Sequence, residues 1–200
     1  MSSATTIHLV RHATYDLLDQ GILAGRSSGW GLNEAGQAQA AALGGFFAAR
    51  KPAAIVASPL ERAQQTAFCI AAKCNLDVQS APDLDEIDFG EWTGMSFADL
   101  HQHPGWQLYN ARRSINTPPR GESMLAVQLR ALRAVTRLTQ QFPDSEVVAV
   151  THADVIKALI AYALGMPLDM FQRLEIAPAS RSPVIIGARF IRVLGVNLPL

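Results

Sequence analysis

Two arginines and two histidines lie at or near the ends of short apolar runs in this sequence of 200 residues. Arg11 and His12 follow the run IHLV, and His152 follows the run VVAV after one threonine. Arg62 comes one helical turn beyond the end of a third run, AIVA. Burying an unpaired charge is costly, so these side chains need a partner. Two guanidinium groups beside two imidazoles favour an anion, and a phosphoryl group in particular.

The same residue types are suited to phosphoryl transfer. A neutral imidazole can attack phosphorus and carry the phosphoryl group until water removes it. The arginines and the second histidine would stabilise charge on the phosphoryl oxygens, which is the main task in such a reaction. The leaving oxygen also needs a proton from a nearby acid. The segment DLDEIDFGEW offers five carboxylates, and their spacing does not choose among them: Asp83, Asp85, Glu86, Asp88 and Glu91.

Strands that alternate with helices must bring these side chains together. The runs at 7–10, 54–57 and 147–150 are continuous and rich in β-branched residues, which is typical of parallel strands covered on both faces. Ligands of open α/β sheets bind at the carboxyl ends of the strands. We therefore expect one crevice to contain all four side chains. The predicted fold is α/β, a three-layer sandwich with a mainly parallel central sheet.

Capping residues mark where the helices begin. Asn33 precedes an alanine-rich helical pattern and is a candidate N-cap. Ser58, Pro59 and Glu61 have the spacing of an N-cap, a first-turn proline and a capping-box partner. The tail SPVIIGARFIRVLGVN predicts two further strands, joined as a hairpin around Gly187.

The length predicts a single domain, 1–200, with a cap-like insertion at roughly 94–122. The inserted segment interrupts the strand–helix alternation and contains HQHPGW, NARRS and TPPRGES. Its residues Trp106, Tyr109, Arg112 and Arg113 are candidates for contacting the leaving group. An amphipathic helix with ordinary surface arginines is the alternative interpretation of the same pattern.

Charge and hydropathy argue against several classes of partner. Lys+Arg and Asp+Glu both number 17, so the formal net charge is zero, and we expect neither nucleic acid nor a membrane as partner. The first residues lack a secretory signal pattern, and the longest apolar stretch is too short to span a bilayer. We expect a cytoplasmic protein. No helix shows a surplus apolar face, so the sequence assigns no oligomeric state.

Six ordered segments resemble the histidine phosphatase superfamily, which includes the cofactor-dependent phosphoglycerate mutases. They span roughly residues 6 to 165 and read LVRHA, GRSSGWGLNEAGQAQA, VASPLERAQQTA, LDEIDFGEWTG, PPRGES and VVAVTHADVIKALI. The resemblance implies that His12 is the nucleophile that becomes phosphorylated and that Glu86 is the proton donor. It also implies that Arg11, Arg62 and His152 bind the phosphoryl group. A donor that later serves as base for water needs a raised pKa.

Several positions depart from the pattern of the family. Ala13 and Tyr15 stand where the family usually has glycine and threonine, and Ala153 replaces a glycine that often follows the second histidine. Both alanines are small enough to allow close approach of the backbone. Tyr15, together with Leu18 in place of a frequent asparagine, makes a mutase-like phosphate pocket a poorer match. The residues expected to bind substrate are Arg11, Arg62, His152, Ala153, Tyr15 and Arg113.

The predicted function is hydrolysis of a small phosphorylated metabolite through a phosphohistidine at His12. No metal and no organic cofactor are expected, because two arginines and a second histidine take the place of a cation. The sequence leaves open a phosphoglycerate mutase-like phosphotransferase, whose lids are usually larger, and a catalytically inactive phosphate-binding regulatory module. A metal hydrolase is a further alternative, built from His12, His152, Asp16 and Asp154.

Overall fold

The computed structural model describes residues 3–199, in which a six-stranded sheet lies between two layers of helices. The strands are β1 (Ala4–Arg11), β2 (Ala54–Ala57), β3 (Val78–Ser80), β4 (Glu146–Thr151), β5 (Arg181–Gly187) and β6 (Phe190–Val193). The helices are α1 (Asp16–Asp19), α2 (Glu34–Ala48), α3 (Glu61–Cys74), α4 (Phe97–Gln102), α5 (Pro104–Ala111), α6 (Met124–Gln141) and α7 (Ala153–Ala163). Short 3₁₀ segments cover Pro82–Leu84, Gly90–Trp92 and Leu168–Arg173.

The strand order β3-β2-β4-β1-β5-β6 confirms the predicted α/β architecture. The first four strands in this order are mutually parallel, whereas β5 and β6 form an antiparallel hairpin at one side. Arg11 pairs with Thr151, and Ala57 pairs with Val150. This register places the carboxyl ends of β1, β2 and β4 next to one another.

Alternate residues of the central strands face opposite helical layers. Val10 and Val148 pack in the cluster formed with α2 and α3, whereas Leu9 and Val147 pack in the cluster formed with α6 and α7. Both faces are therefore buried, which explains why the strands read as uninterrupted apolar runs. Across residues 3–199, no helix has the length and apolar character needed to cross a membrane.

The predicted start of α2 is confirmed, but the predicted start of α3 is wrong. Asn33 caps α2 by accepting a hydrogen bond from the backbone N–H of Gly36 at 2.9 Å. Ser58 is not the N-cap of α3, because that helix begins at Glu61 after an extended Leu60. The chain stays extended past β2 since the Ser58 N–H donates to the carbonyl of Val150 and continues the sheet. The Ser58 hydroxyl is therefore free to serve another element.

The segment 94–122 folds into α4 and α5, followed by a loop. Its aromatic residues pack on the chain just before it, with the Trp92 and Trp106 rings 5.4 Å apart and the Trp92 and Tyr109 rings 5.5 Å apart. An isolated bridge between Ile22 and Ser96 joins the segment to the loop after α1. The division of the chain into one domain with a cap insertion stays a prediction.

Two glycines of α2, Gly36 and Gly45, allow a test of the close packing between this helix and the loop after β1. We expect Gly36→Ala to lower the free energy of unfolding by about 1–3 kcal/mol, since its methyl group would overlap the backbone carbonyl of Thr14. Gly45→Ala is the matched control, because nothing lies near its added methyl group. That change should raise stability by up to about 1 kcal/mol through helix propensity. Urea unfolding measures both, and equal stability of Gly36→Ala and the wild type would contradict the packing.

Candidate active site

His12 follows β1 directly and presents one ring nitrogen to the other site residues. Its backbone N–H donates to the carbonyl of Thr151, which fixes the residue beside the end of β4. The ring Nδ1 lies 2.8 Å from the carbonyl oxygen of Ala13, an acceptor, so Nδ1 carries the proton. The Nε2 then holds a lone pair, which accepts from the Arg62 Nε at 3.3 Å. Burial, with Arg62 and Arg11 nearby, lowers the pKa of His12 well below its usual range.

Arg62 lies in the first turn of α3 and connects both histidines, although its side chain is only 1% exposed. Its Nη2 donates to the carbonyl of Gly25 at 2.8 Å and lies 3.4 Å from the Nδ1 of His152. The two imidazole rings are 5.1 Å apart. Within residues 3–199, no carboxylate lies within ion-pair distance of Arg62 or Arg11. Both cations are therefore available to an anion.

Arg11 has a buried donor that is ready for such an anion. One guanidinium nitrogen, Nη1, donates to the carbonyl of Ile176 at 2.6 Å, which anchors the side chain. The Nε is buried and has no hydrogen-bond partner in the described part of the chain. Orphaned buried donors are rare, and a ligand oxygen is one way to satisfy them. Tyr15 completes this side, with its ring 5.4 Å from the His12 ring and 5.1 Å from the guanidinium carbon of Arg62.

A hydrogen-bonded chain of three residues orients His152. The Ser58 hydroxyl donates to the Oδ1 of Asp85 at 3.0 Å, because the carboxylate only accepts. The hydroxyl oxygen of Ser58 in turn accepts a hydrogen bond from the Nε2–H of His152 at 2.8 Å. The other nitrogen, Nδ1, then faces Arg62 and lies 3.7 Å from the Oε2 of Glu86. Burial, with Arg62 and His12 nearby, lowers the pKa of His152 well below its usual range.

Glu86 is the carboxylate of the 83–91 segment that lies among these groups. Burial and the charge of Asp154 raise the pKa of Glu86 to about 7, against the opposing effect of Arg62. Its main-chain carbonyl accepts from Arg26 at 2.7 Å and from Arg130 at 3.0 Å. Glu122 bridges those two arginines through its carboxylate. The backbone that carries Glu86 is thus clamped while its carboxyl group lies in the cavity wall.

The site residues open into a cavity of about 660 Å³. The segment 94–122 supplies one wall through residues of α4 and α5, and the loop after β1 supplies another. The predicted site residues that line the cavity are Arg11, His12, Tyr15, Arg62, Glu86, Arg113 and Ala153. His152 does not line it and is fully buried next to Arg62. The structure therefore brings the predicted residues together, with His152 beneath the others.

Sequence reasoning missed several residues that hold the site in place. Ser58 was interpreted as a helix cap, although its position at the end of a β-strand, like that of His152, could have marked it as a site residue. Asp85 lies beside Glu86 in an acidic segment, and nothing in the spacing separates their roles. Arg26 and Arg130 come from distant parts of the chain, so only the fold reveals that both hold the backbone of Glu86.

The residues proposed for a metal hydrolase do not converge. Asp154 pairs with Arg113 at 2.7 Å, and Asp16 accepts from Asn33 at the start of α2. In the part of the chain that the structure describes, no group of three or more His, Cys, Asp or Glu side chains is placed to hold a metal ion.

Comparisons with known proteins agree with this architecture. The sequence model of the histidine phosphatase superfamily (branch 1) matches residues 7–199. The adenosylcobalamin/alpha-ribazole phosphatase of Escherichia coli is 31% identical over 147 residues, which cover 70% of this chain and 71% of that protein. The structure of a mycobacterial glucosyl-3-phosphoglycerate phosphatase is 27% identical, with a TM-score of 0.87 over 96% of this chain and 99% of that chain. The chain belongs to the histidine phosphatase superfamily.

Another relative is longer than this chain. A bifunctional protein of Mycobacterium tuberculosis is 36% identical over 184 residues, covering 89% of this chain but only 49% of that protein. The chain thus spans about half the length of this relative.

The hydrogen-bonded chain through Ser58 predicts a specific binding defect. A bound phosphate would favour the charged imidazolium of His152, and the Nε2–H bond to the Ser58 hydroxyl is stronger in that form than in the neutral ring. Losing the acceptor of a buried donor costs about 1–3 kcal/mol, so we expect Ser58→Ala to bind inorganic phosphate roughly tenfold more weakly. Isothermal titration calorimetry measures this affinity.

The control for that experiment is Ser180→Ala. Ser180 is also buried, but its hydroxyl has no hydrogen-bond partner among residues 3–199, so its removal breaks no bond. The Ser180→Ala variant should bind inorganic phosphate as tightly as the wild type does. Equal loss in both variants, or no loss in Ser58→Ala, would contradict a role of Ser58 in orienting His152.

Proposed function

We propose that the chain hydrolyses a small phosphomonoester through a phosphohistidine at His12. The observation that carries this proposal is the state of the His12 ring, whose Nδ1–H is bonded to Ala13 so that the Nε2 lone pair faces Arg62. Its lowered pKa keeps the ring neutral and nucleophilic at neutral pH. Two relatives described above carry phosphatase names, which supports the same class of reaction.

In the first step, the Nε2 of His12 attacks phosphorus, and the bond between phosphorus and the leaving oxygen breaks. The electron pair of that bond goes to the leaving oxygen, which takes the proton of Glu86 and departs as an alcohol. Arg11 and Arg62 contact the phosphoryl oxygens, and His152 donates through Nδ1 in its charged form. The fixed cations stabilise charge as it develops, and their burial strengthens the effect.

In the second step, water attacks the phosphohistidine. The Glu86 carboxylate takes one proton of that water, the bond between nitrogen and phosphorus breaks, and its electron pair returns to the Nε2 of His12. Inorganic phosphate leaves, and Glu86 is again protonated. A carboxyl group with a pKa of about 7 can act as acid and then as base near neutral pH. Ala153 and Tyr15, which line the cavity, are proposed to contact the phosphoryl end.

A covalent trap tests the nucleophile directly. The protein is mixed with 4-nitrophenyl phosphate, quenched in alkali because acid cleaves the bond between phosphorus and nitrogen, and analysed by peptide mass spectrometry. We expect an added phosphoryl group on the peptide that contains His12, and neither adduct nor turnover in His12→Ala. His103→Ala, which changes an exposed histidine of the cap segment, should keep both.

Turnover that persists in His12→Ala would overturn the assignment of the nucleophile. If the wild type turned over neither 4-nitrophenyl phosphate nor a panel of metabolite phosphates, hydrolysis itself would be contradicted. The regulatory module that binds phosphate without turnover would then be the better description.

The raised pKa of Glu86 predicts the basic side of the pH profile. Above pH 7 the carboxyl group loses the proton that an alkoxide needs, so kcat/KM for an alkyl phosphate should fall tenfold per pH unit. His12 is already neutral there, since its pKa lies well below the usual range, and it adds no limb in this region. Glu86→Gln should lose about 10²–10⁴-fold in kcat/KM with the alkyl ester.

The leaving group supplies the internal comparison for this prediction. With 4-nitrophenyl phosphate, whose phenolate departs without a proton, Glu86→Gln should lose much less in the first step. Glu91→Gln is the matched control, because Glu91 is an exposed carboxylate of the same segment and pairs with Arg120. A basic limb that survives in Glu86→Gln would show that another group donates the proton.

A further inference from the structure

The cavity is lined by apolar and amide side chains besides the groups assigned to its phosphoryl end. The apolar lining includes Leu18, Ile22 and Phe97. The amide lining consists of Gln107, Asn110 and Gln172. Asn110 and Gln172 are hydrogen-bonded to each other and to neighbouring side chains, so contact with the apolar lining is the main way in which this part of the cavity can hold a neutral organic group. A second negative charge on the substrate would need an uncompensated cation in this lining.

Among residues 3–199, Arg113 is the only arginine or lysine that lines the cavity besides Arg11 and Arg62, and its charge is already compensated. His101 of α4 also lines the cavity. The Arg113 Nη1 donates to the Oδ2 of Asp154 at 2.7 Å, and the Nη2 donates to the Oδ1 of Asn110 at 2.6 Å. Arg113 itself is only 3% exposed. An ion pair this well shielded from water is costly to break, because one charge would be left without its partner.

The remaining nitrogen of Arg113, Nε, is buried and has no hydrogen-bond partner in the described part of the chain. The guanidinium carbon lies 4.5 Å from the ring centres of both Tyr109 and Phe171, so aromatic rings pack against this compensated group. Lys157 is largely buried and donates to the Oε1 of Gln172 at 3.2 Å. Both basic groups thus stabilise the amide lining instead of offering a free positive charge to the cavity.

Two carboxyl groups face the same space as this compensated arginine. Asp154 and Glu86 both line the cavity, and the negative charge of Asp154 acts on Glu86 strongly enough to help keep it protonated. A carboxylate on the leaving group would meet that same negative charge, and within residues 3–199 the cavity offers no uncompensated arginine or lysine besides Arg11 and Arg62 to offset it. Like charges brought together in a binding site disfavour the wrong partner.

We propose that the leaving group of the substrate is uncharged, with an apolar portion that contacts Leu18, Ile22 and Phe97. This inference rests on the proposed hydrolysis of a phosphomonoester and specifies its substrate class. The ion pair between Arg113 and Asp154 excludes esters whose leaving group carries a second anionic group. Asp154 is the residue that sets this selectivity, and Arg113 is a positioning residue that holds Asp154 and Asn110.

A pair of isosteric esters measures the selectivity. The substrates are 4-carbamoylphenyl phosphate, with a neutral amide, and 4-carboxyphenyl phosphate, with a carboxylate in the same place. The wild type should prefer the amide by roughly tenfold or more in kcat/KM. This comparison needs no variant, so it stands even if a substitution impairs folding.

The variant Asp154→Asn removes the compensating charge and leaves Arg113 free to pair with the substrate. We expect its ratio of kcat/KM for the carboxylate to that for the amide to rise about tenfold over the wild-type ratio. Differences in intrinsic leaving-group reactivity cancel in this comparison of ratios, and a change in the pKa of Glu86 affects both phenyl esters in the same direction. Asp99→Asn is the matched control, since it removes an exposed carboxylate of α4 that bonds to Ser96. Its ratio should equal that of the wild type.

The outcomes separate this inference from the proposed function. Hydrolysis of both esters with no preference, or with preference for the carboxylate, would overturn the uncharged leaving group and leave the phosphatase assignment intact. An unchanged ratio in Asp154→Asn would overturn the role of Asp154. Failure to hydrolyse these esters, 4-nitrophenyl phosphate and a panel of metabolite phosphates would overturn the proposed function, and the inference with it.

Discussion

The guanidinium of Arg62 contacts both site histidines while almost none of the side chain is exposed to solvent. A buried cation without a carboxylate partner is expensive, and the fold tolerates this one because Gly25, His12 and His152 occupy part of its donor set. Burial, together with the charge of Arg62, lowers the pKa of both imidazoles, so that His12 is neutral and His152 becomes charged only when an anion binds. One buried charge thus prepares an anion site and a nucleophile together.

Other arginines near the site have a carboxylate partner. Arg26 and Arg130 share the carboxylate of Glu122 and use further donors on the backbone of Glu86. Because their charges are compensated, they fix geometry without competing for an anion. Arg26 and Arg130, which have carboxylate partners, fix the backbone of Glu86. Arg11 and Arg62, which have no carboxylate partner within residues 3–199, are available to bind an anion.

The layout of the sheet was predictable because it follows from local patterns. Continuous β-branched runs identified the central strands, and their parallel arrangement placed Arg11, Arg62 and His152 at one end of the sheet. The choice of Glu86 among five carboxylates was not available from spacing and came only from the family resemblance. The structure supplies a physical reason for that choice, since the carboxyl group of Glu86 is buried among charged groups.

The contacts that escaped prediction are those between residues far apart in sequence or with competing local roles. Ser58 has the sequence context of a helix cap, and only the extended chain after β2 turns its hydroxyl toward His152. The pair of Arg113 and Asp154 joins residues 41 positions apart on α7 and the loop after α5. Hydropathy periodicity carries no information about such pairs, because it reports which face of an element is buried and not what lies opposite.

Asp154 connects the chemistry of the site to its selectivity. Its negative charge helps to keep Glu86 protonated, which the departure of an alcohol requires. It also compensates Arg113, which lines the cavity and could otherwise have held a second anionic group. A freed Arg113 would bind such a group, but the loss of the Asp154 charge would also favour the ionised form of Glu86. The same carboxylate therefore favours proton donation to an alkoxide and a neutral leaving group, so these two properties cannot be changed independently at this position.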